Sequence, residues 1–552
     1  MSPKERINAR LYYMGNWIVC VVGSILFLIL TWYSFAYTQY MAPHGIEFPI
    51  NIQDSKKQNL IVFAAACMVM VGLGKLEKIL APKVKKRIVV CVVLFMVLWL
   101  AAAGFWWICS AERTPGADCF YVCSDASSFM RGEYDSLMVG NYCDRYPRQL
   151  GLIAFLEVFF SIVGQNNYFA YEVLNAVLVP CIAYLGYRIV REITESMSAA
   201  VFYCLMMIGC LPLVFYTSWV YGEILGIFFL MPAFLLGLRY SKRKWWGYLA
   251  GTVFSLAMAM LIRSNAIILM IAFSIAALLC AIRQKDKKML LLAVCAIIVP
   301  QLTFSGIQWM YEMRSGVEKS SGLPGTAGIS VGLQEKDGRY GWDWLHEGSV
   351  YDEVGHDKER ADIVFRQEIR ERLQTFMEQP SYALFFFREK QLSQWNEPLY
   401  QSYYFSQNYS PDAPPNENSL IYRLGEMEYF IWILRICDRL QFVLYAGMLF
   451  YFLFAVKKDS NIMEHIFPIM IIGGFFFSLI WEAKARYILP YYIGMYPMAA
   501  IGYQQFIVWL KGRIATIRKN AAISRAKSEK ERTEADAAYK IQEKEQRKLG
   551  FP

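Results

Sequence analysis

The chain has 552 residues, of which 56% are hydrophobic and 18% are charged, and its formal net charge is +10. A soluble protein of this length would carry about 25% charged residues, so the composition excludes an ordinary soluble protein and indicates a membrane-embedded chain. The basic residues lie in short clusters between apolar runs, which is typical of cytoplasmic loops and argues against a nucleic-acid partner.

Three apolar runs near the N-terminus approach or exceed the roughly 20 helical residues that span a bilayer core of about 30 Å, and we interpret them as membrane spans. They cover Asn16–Thr38, Asn59–Gly74 and Ile88–Ser110. Lys4, Arg6 and Arg10 precede the first run and place the N-terminus in the cytoplasm. The first run also lacks a small-residue cleavage site, so we interpret it as a retained helix.

The segment from Gln149 to Gly164 is apolar enough to resemble a fourth span, but it has only sixteen residues and contains Glu157. If it crossed the membrane, Arg188, Arg191 and every later basic cluster would lie outside. If it lies along the interface, all these clusters become cytoplasmic. We therefore predict a juxtamembrane helix here, inside a first large external loop.

Nine further spans are predicted, which brings the total to about twelve and leaves both termini in the cytoplasm. They cover Tyr168–Tyr187, Ser198–Thr217, Trp219–Leu238, Trp246–Ile262, Asn265–Ala281, Met289–Tyr311, Glu428–Val456, Ile466–Ile480 and Tyr487–Leu510. The predicted organisation is N-terminal spans (1–110), a first external loop (111–167), central spans (168–311), an external loop domain (312–427), C-terminal spans (428–510) and a charged cytoplasmic tail (511–552).

The external domain has one clear internal pattern. Apolar residues recur at helical spacing between charged neighbours at Phe365, Ile369, Leu373 and Phe376. The pattern predicts an amphipathic helix whose apolar stripe packs against the protein. The tail alternates Lys, Arg and Glu, so it is interpreted as a solvated helix or a disordered segment.

Three of the thirteen cysteines share the first external loop: Cys119, Cys123 and Cys143. One disulfide among them and three free thiols are both open interpretations. The four histidines do not cluster, and no HxxxH or CxxC pair is present, so a structural zinc site is not expected. No motif calls for a cofactor, although a weakly bound divalent cation between acids is left open.

The unusual polar residues gather on the external side of the predicted topology. They are Asp125, Glu223, Arg263, Asn265, Lys390, Glu482, Lys484 and Arg486. Each charged member could instead be an anchor at a helix end. Together, acids and cations at one water boundary suit a reaction that holds a phosphate leaving group while a proton is removed from an acceptor.

Several stretches carry a family resemblance in their order and sidedness. They are Ser124-Asp125, Tyr146-Pro147-Arg148-Gln149-Leu150-Gly151, Tyr221-Gly222-Glu223, Lys390 with Trp395-Asn396-Glu397-Pro398, and Trp481-Glu482-Ala483-Lys484-Ala485-Arg486-Tyr487. Over residues 85–510 the chain resembles integral-membrane glycosyltransferases of the GT-C fold, in the subset related to protein O-mannosyltransferases and lipid A aminoarabinose transferases. The resemblance implies an all-α, polytopic bundle of about twelve spans, with juxtamembrane helices and a small external domain.

The resemblance also implies roles for individual residues. Asp125 matches the loop acid that acts as general base, with Glu133, Asp135 and Asp144 as substitutes and Asp118 as the least favoured, because it lies outside the matched stretch. Glu223 matches a second catalytic acid that orients the acceptor or ligates a metal. The implied substrate-binding residues are Tyr146, Arg263, Asn265, Lys390, Trp395, Glu482, Lys484, Arg486 and Tyr487.

Within that set, Arg263, Lys390 and Arg486 are expected to bind the donor phosphate. Trp395 and Tyr400 are expected to be aromatic belt residues at the membrane boundary, with stacking on a sugar as the alternative.

The resulting hypothesis is an inverting hexosyltransferase of the plasma membrane. It moves a sugar from a polyprenyl-phosphate donor to an acceptor hydroxyl of a glycan, lipid or protein on the external face. Two alternatives are a transporter or flippase of a lipid-linked glycan, which would place its charges near the bilayer midplane, and a glycan polymerase or ligase. The sequence identifies neither the sugar, nor the acceptor, nor the length of the lipid.

Overall fold

A computed structural model of the chain describes residues 3–44, 47–111, 115–343, 345–406 and 416–548. In these ranges the chain forms twenty-two α-helices and two small antiparallel sheets of two strands each. The all-α, multi-spanning fold class predicted from the sequence is confirmed.

The N-terminal part consists of three long helices and a β-hairpin. Its elements are α1 (Pro3–Ala36), β1 (Tyr37–Met41), β2 (Pro49–Gln53), α2 (Lys56–Ile79) and α3 (Pro82–Ala111). The hairpin, which the sequence analysis does not predict, pairs Tyr37 with Gln53 and Met41 with Pro49. The backbone N–H of Gln39 donates to the carbonyl of Asn396 at 3.1 Å, so the hairpin is attached to the distant 396–406 segment.

The first external loop is largely helical. It contains α4 (Asp118–Met130), α5 (Tyr142–Arg145) and α6 (Leu150–Val163). Helix α6 matches the predicted juxtamembrane helix, and its 14 residues rise about 21 Å, less than the bilayer core. Its acid, Glu157, accepts hydrogen bonds from Arg314 at 2.6 Å and from the Tyr311 hydroxyl at 2.8 Å. These contacts explain an acid inside an otherwise apolar helix.

Seven helices form the central part of the bundle. They are α7 (Tyr168–Ile193), α8 (Met197–Ile208), α9 (Leu211–Phe215), α10 (Glu223–Arg243), α11 (Trp246–Ile262), α12 (Ile267–Gln284) and α13 (Lys287–Ser315). The single span predicted over Ser198–Thr217 is broken: the axis bends by 50° between Ile208 and Leu211. Pro212 lies at the start of α9, where a proline is tolerated because the first helical N–H groups have no partner within the helix.

The external domain is built from short elements. They are α14 (Gly325–Leu333), β3 (Glu335–Lys336), β4 (Arg339–Tyr340), α15 (His346–Glu353), α16 (Lys358–Glu378), α17 (Pro380–Trp395), α18 (Ser402–Ser406) and α19 (Leu420–Leu424). The predicted amphipathic helix is α16. Its Phe365 and Phe376 are buried against the rest of the domain, whereas Leu373 is exposed, so packing accounts for part of the predicted stripe.

Three helices complete the chain: α20 (Met427–Phe450), α21 (Ile466–Ile480) and α22 (Leu489–Lys548). Helix α22 runs without interruption from the predicted last span into the charged tail, so within the described residues the tail is helical.

Nine helices of the described chain are long and apolar enough to cross a membrane. They begin at Arg6, Lys56, Pro82, Tyr168, Glu223, Ser264, Lys287, Met427 and Ile462. The bent pair Met197–Ser218, the 17-residue α11 and the apolar start of α22 account for the other three of the twelve predicted spans.

Candidate active site

Two arginine–carboxylate pairs meet around one tyrosine ring. Nη2 of Arg486 lies 2.8 Å from Oδ2 of Asp118, and Nη2 of Arg263 lies 3.2 Å from Oε1 of Glu223. The guanidinium carbons of Arg263 and Arg486 lie 4.9 Å and 5.9 Å from the centre of the Tyr221 ring. The structure thus brings together three of the site residues predicted from the sequence: Glu223, Arg263 and Arg486.

Helix termini hold these four charged residues in place. Asp118 is the first residue of α4 and Glu223 the first residue of α10, where the positive end of the helix dipole favours a carboxylate. Arg263 directly follows α11, and Arg486 lies in the short turn Ala485–Ile488 that precedes α22. The cluster therefore joins four segments that are far apart in sequence.

A small cavity lies against the cluster and is lined by both charged and apolar side chains. Its lining consists of Glu223, Gly226, Ile227, Leu230, Ala259, Arg263, Asn265, Ala266, Arg486 and Pro490. The charged side chains come from helix termini, and the apolar ones come from α10, from Ala259 of α11, from Ala266 and from Pro490 of α22. Acidic, cationic and apolar side chains thus meet at one small space.

Lys484 forms a third ion pair beside the cluster. Its Nζ lies 3.0 Å from Oε2 of Glu47, in the segment that connects β1 to β2, and 3.5 Å from the ring centre of Trp342. Lys484 is buried, and Glu47 is half-buried. The sequence analysis predicts Lys484 as a site residue but does not find Glu47, because only the tertiary fold brings the hairpin to this loop.

Two further carboxyl groups lie close to each other near the site. Oε1 of Glu347, in α15, accepts a hydrogen bond from the Tyr146 hydroxyl at 2.7 Å, and Oε2 of Glu482 accepts one from the Tyr487 hydroxyl at 2.9 Å. Burial and the nearby Glu482 carboxylate raise the pKa of Glu347 to about 7. Glu347 is absent from the sequence-based candidates, since no local motif marks it.

Asp118 remains ionised near neutral pH. Burial acts to raise the pKa of its carboxyl, but the Arg486 guanidinium, together with Lys484 and Arg263, outweighs burial and holds the pKa below its usual value. The side chain of Asp118 is still 37% exposed. A carboxylate that is both charged and accessible can accept a proton from a bound hydroxyl.

Asp125, the acid favoured by the sequence analysis, lies elsewhere. Its Oδ2 accepts hydrogen bonds from the Ser136 hydroxyl at 2.6 Å and the Cys143 thiol at 3.4 Å. Burial raises its pKa, and among the described residues no arginine or lysine pairs with it. Seven residues of helix separate it from Asp118, a rise of about 10 Å. The structure therefore brings Asp118, rather than Asp125, to the arginine cluster.

The other acids of this loop have different partners. Glu133 pairs with Arg131 at 2.6 Å on the surface. Asp144 is buried and accepts hydrogen bonds from Lys358 and Tyr351, both at 2.9 Å. Asp135 accepts a hydrogen bond through its backbone carbonyl from Asn141 at 2.7 Å. None of the three joins the arginine cluster.

Lys390 differs from its predicted place among the phosphate ligands. It is fully buried, and its Nζ donates to the carbonyls of Leu479, at 3.0 Å, and Gly332. Burial lowers its pKa to about 7, and the nearby Glu482 acts in the opposite direction. Lys390 thus ties together the ends of α14 and α21 and makes no contact with Arg263 or Arg486.

Trp395 and Tyr400 are both buried inside the protein, so they are neither membrane-belt residues nor exposed platforms for a sugar. The indole Nε1 of Trp395 donates to the Ser478 hydroxyl at 3.0 Å. The Tyr400 hydroxyl accepts a hydrogen bond from Gln441 at 2.7 Å. The physical reason is that the 395–401 segment folds inward, between α21 and α20.

Cys119, Cys123 and Cys143 are buried, and no disulfide bond joins any two of them. The Cys119 thiol donates to the Val220 carbonyl at 3.0 Å. Of the two interpretations left open by the sequence, the structure corresponds to the one without a disulfide. Among the described residues there is no group of three or more His, Cys, Asp or Glu side chains arranged to hold a metal ion.

Comparison with known proteins bears on the central part of the chain. Residues 150–304 match the family model described as dolichyl-phosphate-mannose-protein mannosyltransferase. The matched region includes Tyr221, Glu223 and Arg263 and confirms the resemblance drawn from the sequence over 155 of the 552 residues. No curated protein matches the chain.

Among solved structures, the chain is similar to the archaeal oligosaccharyltransferase AglB from Archaeoglobus fulgidus, in complex with an inhibitory peptide and a dolichol-phosphate. The sequence identity is 13% and the TM-score is 0.42. The likeness covers 79% of this chain and 52% of that protein, so the chain spans about half of its length.

Proposed function

We propose that the chain is an integral-membrane glycosyltransferase that moves a sugar from a polyprenyl-phosphate donor to an acceptor hydroxyl with inversion at the anomeric carbon. The observation that carries the proposal is the meeting of Asp118–Arg486 and Glu223–Arg263 beside a small cavity lined by charged and apolar side chains. The match of residues 150–304 to a family of dolichyl-phosphate-mannose-protein mannosyltransferases supports it.

In this proposal Arg263 and Arg486 bind the donor phosphate. Nε of Arg486 is buried and has no hydrogen-bond acceptor among the described residues. It can donate to a phosphate oxygen while Nη2 stays on Asp118. Ile227 and Leu230 line the same small cavity and offer apolar side chains to the start of the lipid chain.

Asp118 is proposed as the general base. Its carboxylate takes the proton of the acceptor hydroxyl as that oxygen attacks the anomeric carbon. The bond between this carbon and the phosphate oxygen breaks, and its electron pair leaves with the lipid phosphate. The two arginines stabilise the negative charge that grows there, and a positioned base typically contributes about 10² to 10⁴ in rate.

The clustered basic loops support an external site, because they assign the opposite ends of the spans to the cytoplasm. Half-buried Tyr146, Glu347, Glu482 and Tyr487 surround the space in front of Asp118 and supply hydroxyl and carboxylate groups for sugar hydroxyls. Mannose is the first sugar to test, because the matched family is named for it. The acceptor is a glycan, a lipid or a protein.

The test compares purified wild type with Asp118→Asn and Asp125→Asn. Each protein is incubated with radiolabelled polyprenyl-phosphate sugars, mannose first, and a membrane extract that supplies the acceptor. We expect transfer by wild type, a loss of about 10² or more in Asp118→Asn, and near wild-type transfer in Asp125→Asn. Loss confined to Asp125→Asn would reject Asp118 as the base, and no transfer from any donor by wild type would reject the proposed function.

A further inference from the structure

The turn that follows α17 contains two residues in the left-handed backbone conformation, which residues other than glycine rarely adopt. Tyr400 and Gln401 are consecutive and have φ values of 51° and 60°. The left-handed region is unfavourable for residues with a Cβ atom, and such residues persist only where surrounding contacts fix them. Two of them in succession call for an explanation from the contacts of the turn.

A buried carboxylate holds this turn. The two oxygens of Glu397 accept hydrogen bonds from the backbone N–H groups of Gln401, at 2.6 Å, and Leu399, at 3.2 Å. The preceding residue, Asn396, donates to the Tyr37 carbonyl at 2.6 Å and so attaches the turn to the N-terminal hairpin. Glu397 and Asn396 are almost completely buried. The turn therefore has a fixed geometry relative to the hairpin and the bundle.

The turn presents the Gln401 side chain to both cationic parts of the site. Its Oε1 accepts the backbone N–H of Arg486 at 3.1 Å, and its Nε2 donates to Oε1 of Glu47, whose carboxylate pairs with Lys484. Gln401 is buried, and both ends of its amide are engaged. A single side chain thus supports the backbone of one cation and the counter-ion of the other.

We infer that Gln401 is a positioning residue for the donor phosphate: it fixes Arg486 directly, and Lys484 through Glu47. The inference rests on the proposed function, because it takes Arg486 as a ligand of the phosphate. Packing alone would be served equally well by an apolar residue of the same length. It would not need an amide with its oxygen on Arg486 and its nitrogen on a carboxylate.

The test is a four-variant cycle of wild type, Gln401→Glu, Glu47→Gln and the double variant. Gln401→Glu keeps an acceptor for the Arg486 N–H but sets two carboxylates against each other. The double variant restores one amide and one carboxylate with their places exchanged. Binding of decaprenyl phosphate and of uncharged decaprenol is measured on the purified full chain, since a positioning role predicts an effect on the phosphate lipid only.

We expect Gln401→Glu to weaken decaprenyl phosphate binding about tenfold and to leave decaprenol binding unchanged. The two substitutions should couple by more than threefold. Gln401→Met, which removes both hydrogen bonds without adding charge, should cause a similar loss and serves if Gln401→Glu does not fold. The matched control is Gln394→Glu, an equally buried glutamine that donates to the carbonyls of Lys390 and Ser478 instead and should leave binding of both lipids unchanged.

Equal binding of decaprenyl phosphate by wild type and both Gln401 variants would overturn the inference, as would a coupling below threefold or an equal loss of decaprenol binding. Failure of the wild type itself to bind decaprenyl phosphate would instead count against the proposed function. The two failures are therefore distinguishable.

Discussion

Removing the charge of Arg486 should change both the rate of the proposed reaction and its pH dependence. Arg486→Met takes away the guanidinium that lies 2.8 Å from Asp118. At present this guanidinium outweighs burial and keeps the pKa of Asp118 below its usual value. Without this guanidinium, only Lys484 and Arg263 oppose the effect of burial on the pKa of Asp118. An adjacent arginine typically lowers a carboxyl pKa by about 1 to 3 units, so the pKa of Asp118 should rise by that amount.

The sign of the effect follows from the role of Asp118 as a base. A base works only when deprotonated, so the activity of wild type falls only when the pH drops through the lowered pKa. In Arg486→Met the acid limb of kcat/KM should move to a pH about 1 to 3 units higher. At pH 7 the loss of a fixed charge that stabilises the leaving phosphate should cost about 10² to 10³ in rate.

The assay is sugar transfer from a polyprenyl-phosphate donor, measured as kcat/KM between pH 4.5 and 8.5. The control is Arg314→Met, which removes an arginine that also pairs with a glutamate and lies over tyrosine rings, but outside the site. An acid limb that stays in place in Arg486→Met, or that moves equally in the control, would refute the electrostatic coupling between Arg486 and Asp118.

Three other outcomes can be checked independently. Between its ordinary pKa of 4.5 and its raised pKa of about 7, Glu347 stays protonated in the folded protein, so it lowers the stability of wild type as the pH rises through that window. The melting temperature of Glu347→Gln should therefore fall less than that of wild type between pH 5 and 7.5. Parallel curves of melting temperature against pH would contradict this. A Cβ at Gly226 would lie 2.9 Å from Cγ of Arg263, so Gly226→Ala should weaken decaprenyl phosphate binding about tenfold, although alanine favours the helix. A Cβ at Gly306 would meet no neighbouring atom within 4 Å, so Gly306→Ala should bind this lipid as wild type does. Equal binding by the two variants would contradict the steric argument. Alkylation under denaturing, non-reducing conditions followed by mass spectrometry should label all three cysteines of the first external loop, and an unlabelled pair would indicate a disulfide between Cys119, Cys123 or Cys143.

Hydropathy and charge predicted the membrane elements well, because a span must be long and apolar wherever it occurs. The helix at Gln149–Gly164 was recovered with nearly its observed ends, Leu150 and Val163. Its placement in the membrane interface stays a prediction, as does the cytoplasmic position of the termini. The hairpin β1–β2 was missed because its strands are only five residues long and lie in a polar connection.

The candidate site was predicted in part. Glu223, Arg263 and Arg486 could be grouped because each lies at the end of an apolar run, and the predicted topology assigns those ends to one face of the membrane. The choice between Asp118 and Asp125 could not be made in this way, since both lie in one loop and only helix α4 determines which of them reaches Arg486.

Burial and long-range contacts explain the remaining differences. From its sequence alone, a lysine near a span is expected to be an exposed cation. The residues next to Lys390 in the sequence do not indicate that its ammonium group is enclosed by the carbonyls of Gly332 and Leu479. Glu47 and Glu347 join the site from the first hairpin and from the external domain. Their contacts with Lys484 and Tyr146 link positions hundreds of residues apart, which no spacing rule within a motif can reveal.

The pair between Asp118 and Arg486 joins residues that are 368 positions apart. During synthesis, α4 therefore emerges long before its partner arginine exists. Arg486 takes up its position only when α21 and the start of α22 have been inserted on either side of it. A nascent or C-terminally truncated chain consequently lacks a complete set of charges at this surface, so the proposed phosphate site can form only after the start of α22 has been made.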